Sequence, residues 1–578
     1  MNTSLIDIRR HRATQAAKSM LNYPLKYFAN TKNIARLESI LEGDKDALKI
    51  VSVLRRQQTG FSSYLSFSQT HTDEYKFINN VLEHKTEQYV NIESKLCPNA
   101  PFELRELGVT NIVSRINLNL AESLNGVGIK EDLADNNIFI AELLNSAWLV
   151  DHFAMYLVGA VDLVMDVSGN FIFKPKHENQ FIPLWFGNAL EQSSLEAGNY
   201  AIAKLAESSK VPKANDPSLQ MLHARVLSLV EQHWKLKSST VFEEVFHQKA
   251  DLIMLLLGAY QNHLFQDSLT AITRQNIETL VQHSPNHRGL LNTYDTVKAF
   301  QQALPSEDRL FDIKNNGLVL GNTEIVRGLV QQVEHFAAIQ FGDEWHGNLE
   351  KEQLAKLFGS LKEHEHIDLL NFELKQEHIG LPNQNEIGLD IDFFIRDNRT
   401  KRVYAVQLKH IESSSKANLA LWLDILGGAK AKLGKGVAQL ENLGALCKTD
   451  QKIRDRLIQH GILESEIPHI VPILVHNCGS MDMIKLHSNI WLYDIPTFVR
   501  ALTGRTAILD VYDGENYRAE GSSKLDASGL KLDEPLEIVH AYLQDERFQK
   551  LRHFDAARHV SRSARIEGTT FSAIGIAV

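Results

Sequence analysis

A chain of 578 residues is too long for one hydrophobic core, and at roughly 150 residues per domain it is expected to fold as three or four. Its 44% apolar and 23% charged residues are those of an ordinary soluble globular protein, and its formal net charge of −10 argues against a protein that coats nucleic acid non-specifically. That balance leaves room for a local basic surface. No apolar run reaches the roughly 18 residues a membrane span needs, since the most apolar window, 153–165, is broken by Gly159 and Asp162. The first residues carry no apolar stretch of the secretory kind. Cys97, Cys447 and Cys478 are scattered and odd in number, which excludes a disulfide framework and a cysteine zinc site and fits a reducing cytoplasm.

In chain order, residues 1–325 read as a large, mostly helical region in two subdomains. Apolar residues recur at three- and four-residue spacing in windows such as 34–41, 140–156, 219–233 and 241–257. One hairpin interrupts it, 161–167 and 171–173 about a Ser168-Gly169-Asn170 turn. Residues 326–505 change texture. A helical stretch over 324–341 and an amphipathic helix over 349–361 precede β-branched runs at 389–395, 403–410, 470–475 and 490–493, with a lysine-bearing helical region at 418–446. This order predicts an α/β domain with a mixed sheet covered by helices. Residues 506–578 read as a small α+β appendage: a hairpin around Asp513-Gly514, a helix over 534–544 and a polar tail.

The chemistry concentrates in two runs, Asp390-Ile-Asp392-Phe-Phe-Ile395 and Val403-Tyr-Ala-Val-Gln407-Leu-Lys409-His410. Side chains alternate along a strand, so Asp390 and Asp392 share one face, as do Gln407 and Lys409. If the polar turn 396–402 closes an antiparallel pair, one register sets Asp392 opposite Gln407 and Asp390 opposite Lys409. The reverse face then carries Ile391, Phe393, Ile395, Tyr404, Val406 and Leu408. Carboxylates and a lysine on an apolar sheet are costly unless they pair or hold a metal. A hard divalent cation polarises a phosphoryl oxygen and lowers the pKa of an attacking water, and Mg²⁺ needs only one or two carboxylates besides waters. Asp392 is the expected main ligand, with the Gln407 amide oxygen completing the protein's share and Asp390 assisting. Lys409 is expected to orient the water and offset charge in the transition state.

These residues resemble the signature of the PD-(D/E)xK nuclease superfamily, an acidic residue on one strand and Glu/Gln-x-Lys on the next, here Asp392 and Gln407-Leu-Lys409. The resemblance covers about 150 residues. It implies a Glu on the preceding helix, for which Glu350 after Gly347 is the candidate, and a Gln facing the site from the following helix, for which Gln439 is. It implies a restriction-endonuclease-like fold, Mg²⁺ or Mn²⁺ as cofactor and endonuclease activity on nucleic acid, DNA first. The departure is Gln407 where Glu is commoner, which weakens the metal site. The Gln-x-Lys variant leaves two rivals: a degenerate nuclease fold that only grips nucleic acid, and a structure-specific nuclease for RNA or branched DNA in repair or transposition. The helical region would then recognise a target, a partner protein or a second copy, and fusion of large helical modules to such nucleases suggests bacterial genome defence by analogy alone.

The basic run from Arg396 to Lys435, including Arg399, Lys401, Arg402, Lys416, Lys430 and Lys432, is read as a phosphate-tracking patch in preference to a solvated turn and helix face. His364-Glu365-His366 is read as an exposed helix end. Asp162 with Lys174 and Lys176 is read as an ordinary hairpin. Gly428–Lys435 lacks the spacing of a phosphate loop. Arg9-Arg10-His11-Arg12 fits DNA contact and a solvated chain start equally well.

Overall fold

The run 402–409 is buried at every position but its two ends, the pattern of a strand covered on both faces, and it forms the centre of the fold. In the computed structural model the described residues are 25–62, most of 146–175, 273–275, 293–303, 311–314, 317–320, 342, 345–379, 388–411, most of 423–426, 431–477, 481–504, 509–512, 517–520, most of 530–538 and 558–577.

In chain order these are α1 (Thr31–Ile40), α2 (Lys45–Arg56), β1 (Val161–Met165), β2 (Phe171–Pro175), α3 (Thr293–Ala303), β3 (Phe311–Lys314), β4 (Gly317–Leu320), α4 (Trp345–Lys362), β5 (Ile367–Leu370), β6 (Leu374–Lys375), β7 (Asp390–Ile391), β8 (Phe393–Asp397) and β9 (Arg402–Lys409). There follow α5 (Lys432–Thr449), α6 (Gln451–Gln459), β10 (Val471–His476), β11 (Ile484–Lys485), β12 (Trp491–Asp494), α7 (Ile495–Thr503), β13 (Leu509–Tyr512), β14 (Tyr517–Glu520), β15 (Arg558–Ile566) and β16 (Thr569–Ala577).

Six strands form one mixed sheet in the order β11-β12-β10-β9-β8-β5. Strand β8 runs antiparallel to both β5 and β9, while β9, β10 and β12 are mutually parallel. One face carries Phe393, Ile395, Tyr404, Val406, Ile473 and Tyr493, and packs on Leu357 and Leu361 of α4 and Phe498 of α7. The other carries Phe394, Ala405, Leu474 and Leu492, and packs on Leu433, Val437 and Leu440 of α5.

Local chemistry sets the helix ends. Asp450 closes α5 and caps α6, accepting from the Lys452 N–H at 2.8 Å, so the two helices meet at one residue. Helix α7 begins with a proline in its first turn and stops at Gly504, whose φ of 66° is left-handed and whose N–H donates to the Arg500 carbonyl.

The mixed sheet under helices is as the sequence predicts. Strands β8, β9, β10 and β12 fall where the β-branched runs lie, and the β8–β9 ladder pairs Phe393 with Val406 and Ile395 with Tyr404, the expected register. Several features differ. Strand β5 was not anticipated and covers the β8 edge. Ile391 packs with Phe394 and Leu433 on the α5 side, not with Phe393, because β7 leaves the main sheet to pair with β6. His364 and His366 lie in the turn after α4, not on a helix, and their rings meet edge to face at 5.6 Å. The polar tail is a hairpin, β15–β16, and β16 runs parallel to β2 with Phe171 stacked on Phe571.

The expected hairpin beyond 506 is present as β13–β14. Leu530, Leu532 and Ile538 join the core beneath α7, with the Tyr493 hydroxyl donating to the Leu532 carbonyl at 2.6 Å. Toward the N-terminus, α1, α2 and the β1–β2 hairpin are described, and Asp166 closes the hairpin turn by accepting from the Ser168 and Asn170 N–H groups. Asp162 faces Lys174 across it as a plain cross-strand pair. The short β3–β4 hairpin was not anticipated. Most of the helical region expected over 1–325, the helix over 324–341 and Arg9 to Arg12 lie outside the described residues. Among the described residues no helix is long and apolar enough to cross a membrane.

Candidate metal centre

Alternation along β9 puts Val403 and Ala405 on the α5 side of the sheet and Tyr404, Val406 and Leu408 on the other. Gln407 and Lys409 therefore face α5. Across the ladder, Phe394 faces α5 too, and the pairing of β8 with β9 ends at Phe393, one residue short of Asp392. The freed Asp392 carboxylate takes an N–H of β9, with Leu408 donating to its Oδ2 at 2.6 Å.

Three further side chains close on this end. Helix α5 brings Gln439, which is buried and donates through Nε2 to Asp390 Oδ2 at 3.1 Å. Helix α4 brings Glu350, whose Oε1 accepts from the His410 N–H at 3.1 Å. The Lys409 stem runs beneath α5 where that helix carries a glycine. A Cβ built on Gly436 would stand 3.1 Å from Lys409 Cγ and 2.7 Å from Leu474 Cδ1. The absent side chain is what lets the helix lie on the lysine. The sequence-predicted group Asp390, Asp392, Gln407, Lys409, Glu350 and Gln439 is thus gathered at one end of β9.

Electrostatics mark the same spot. Burial pushes the Asp392 carboxyl up to about 7, opposed by the Lys409 ammonium and the Leu408 N–H and reinforced by the charges of Asp390 and Glu350. A carboxyl so placed favours its ionised form more strongly when a cation stands beside it.

One contributor was missed. Glu373, just before β6, stands with Asp390 and Asp392 so that one ligand oxygen of each lies within 4.8 Å of the others. Strand β6 pairs with β7, setting Lys375 opposite Asp390, and Lys375 Nζ contacts Glu373 Oε1 at 2.6 Å. That contact holds the Lys375 ammonium above the usual lysine range. The available signal was the alternation Phe372-Glu373-Leu374-Lys375, too short to be distinguished from a turn.

The residues fit a hard cation. The cluster supplies three carboxylates. Beside it Gln407 is fully buried with neither amide atom hydrogen-bonded, and Asp390 Oδ1 and Gln439 Oε1 are buried and without a partner in the protein. Each such atom costs about 1–3 kcal/mol if left so, and oxygen donors of this kind are the ones Mg²⁺ and Mn²⁺ take.

The basic patch does not hold as a unit. Arg396 forks onto Glu466 at 2.7 and 2.9 Å, Arg399 pairs with fully buried Asp397 at 3.0 Å, and Arg402 meets Asp533 at 3.2 Å. These arginines fasten the turn end of the hairpin. Lys435 is exposed on the first turn of α5, and Lys432 beside it is half-buried. Lys416 and Lys430 lie outside the described residues.

A second buried carboxyl was also missed. Asp482 accepts from the Asp494 N–H at 2.9 Å, and burial with the Asp494 charge raises its pKa well above the carboxylate range. It ties the β11 edge to the start of α7.

No family model matches the chain, and neither a curated protein nor a solved structure matches it.

Proposed function

We propose that residues 345–504 form a metal-dependent phosphodiesterase that cleaves nucleic acid, with DNA the favoured substrate and genome defence the favoured setting. The observation that carries this reading is the convergence of Asp390, Asp392, Lys409, Glu350 and Gln439 at one end of β9, beside a buried amide with no partner.

Asp392 and Asp390 would hold a Mg²⁺ or Mn²⁺ ion, with the Gln407 amide oxygen beside them. When bound, the ion supplies Lewis acidity toward a phosphoryl oxygen and a lowered pKa for the attacking water. Lys409 offsets charge growing on the phosphoryl oxygens, its stem fixed beneath Gly436 so that little reorganisation is needed. Gln439 holds Asp390 by one oxygen and leaves the other free. Glu350 holds the chain at His410, directly after the lysine, and adds negative charge beside Asp392. Exposed Lys435, on the first turn of α5, would meet a backbone phosphate.

The test is incubation of the full chain with supercoiled plasmid, linear duplex, single-stranded DNA and RNA, each with Mg²⁺, Mn²⁺ or EDTA. Metal-dependent cleavage that EDTA and Lys409→Ala both abolish is the expected result. Binding to nucleic acid with no cleavage under any of these conditions overturns it. That outcome favours a gripping scaffold, to which the neutral Gln407 points.

A further inference from the structure

Gln407 is buried on the α5 face of β9 next to Lys409, and its neutral amide brings no charge to a cation. The structure nevertheless collects three carboxylates here, because β6 folds back along β7 and delivers Glu373 from a different segment. We propose that Glu373 is a ligand of the divalent cation, supplying the charge that Gln407 lacks, and that Lys375 is a resident counter-cation which the metal displaces. This rests on the metal-centre reading above and names its ligand set.

Two independent observations carry it. The first is distance: ligand oxygens of Glu373, Asp390 and Asp392 lie within 4.8 Å of one another, close enough to share one ion. The second is a pair of buried amides: Gln407 is fully buried with both amide atoms unpartnered, and Gln439, 1% exposed, donates to Asp390 Oδ2 while its own Oε1 has no partner in the protein. Three crowded carboxylates repel one another unless a cation stands among them. Lys375 takes part of that role, held at 2.6 Å from Glu373 and opposite Asp390 in the register. An ammonium has no acceptor capacity and repels a divalent ion, so metal entry must turn Lys375 outward. Glu373 and Lys375 lie at the solvent side of the cluster, with side chains 43% and 35% exposed, so this exchange needs no unfolding.

The experiment is Mn²⁺ titration of the purified full chain, read by calorimetry and by the rise in melting temperature, with no substrate present. Glu373→Gln should weaken Mn²⁺ binding by about tenfold or more. Lys375→Gln should tighten it by about fivefold, the effect of removing one unit charge near 4 Å. Glu363→Gln, an exposed carboxylate just past α4, should change nothing. Gln407→Glu combined with Glu373→Gln should restore much of the lost affinity. A gain of affinity in Lys375→Gln is not something misfolding produces.

Wild-type affinity in Glu373→Gln, or unchanged or weaker affinity in Lys375→Gln, overturns the proposal. Its fate is separable from that of the nuclease reading. Binding that follows these rules without cleavage keeps the ligand set and removes the phosphodiesterase. Cleavage with Mn²⁺ binding indifferent to Glu373 does the reverse.

Discussion

The two ends of the β8–β9 hairpin are built from the same kinds of residue and solve opposite problems. At the turn end each acid has an arginine: Glu466 with Arg396, Asp397 with Arg399, Asp533 with Arg402. The Arg396 guanidinium holds the Glu466 carboxyl below the usual range. At the open end Asp392, Asp390, Glu350 and Glu373 crowd around Lys409 and Lys375, and burial pushes Asp392 up instead. Among the described residues, no ion pair reaches Asp390, Asp392 or Glu350. Paired charges fasten a fold, whereas crowded carboxylates with orphaned amides beside them point to something the chain must still bind.

The sharpest way to break this contrast is at Lys409. Lys409→Ala should lower cleavage by about 10²–10³-fold, measured as initial plasmid nicking rate, while Mn²⁺ binding persists. A variant that nicks at the wild-type rate removes the lysine from the chemistry.

The turn end should answer in stability alone. Arg399→Ala leaves fully buried Asp397 without its cation and should cost about 3–5 kcal/mol in denaturant unfolding, with no change in Mn²⁺ affinity. A shift in metal binding would mean that the two ends are not separate.

Proton and metal should compete at Asp392. Because its folded pKa is raised to about 7, the folded protein keeps a proton that the unfolded chain sheds near its ordinary value. The metal-free protein therefore loses stability from this group as pH rises from the ordinary carboxylate range through about 7. Mn²⁺ takes the ionised form, so its affinity should climb by up to about tenfold per pH unit below that value and level off above it. Asp392→Asn should remove the slope, and melting curves at matched pH with and without Mn²⁺ will measure it.

The smallest expected effect sharpens the role of α5. Gly436→Ala sets a methyl against Leu474 and Lys409 and should cost about 1–3 kcal/mol, with a loss of cleavage larger than the loss of Mn²⁺ affinity. Leu474→Val in the same chain should recover part of both.

Much of the open end was legible. The strand period and the turn length fixed which residues of β8 and β9 oppose one another, and the pairing of Phe393 with Val406 and of Ile395 with Tyr404 follows that register. Gln439 and Glu350 came from the family resemblance, which asks for a Gln and a Glu on the helices flanking those strands. Glu373 escaped because a two-residue strand has no period to read. Ile391 was assigned to the wrong face because alternation was carried across a break that only the β6 pairing creates. The arginines were misread for a third reason. A run of like charge looks free in sequence when its partner, Glu466, stands seventy residues away.

The pairing of β16 with β2 has a consequence for how the chain is made. Phe571 meets Phe171 across four hundred residues of intervening sequence. A ribosome emits β1 and β2 some four hundred residues before β16, so the β2 edge that β16 pairs with waits for it until then. Closing a loop of that length is slow relative to forming the β8–β9 hairpin, whose strands are a few residues apart. The nascent protein therefore carries the β2 edge without β16 until residues 558–577 have been made.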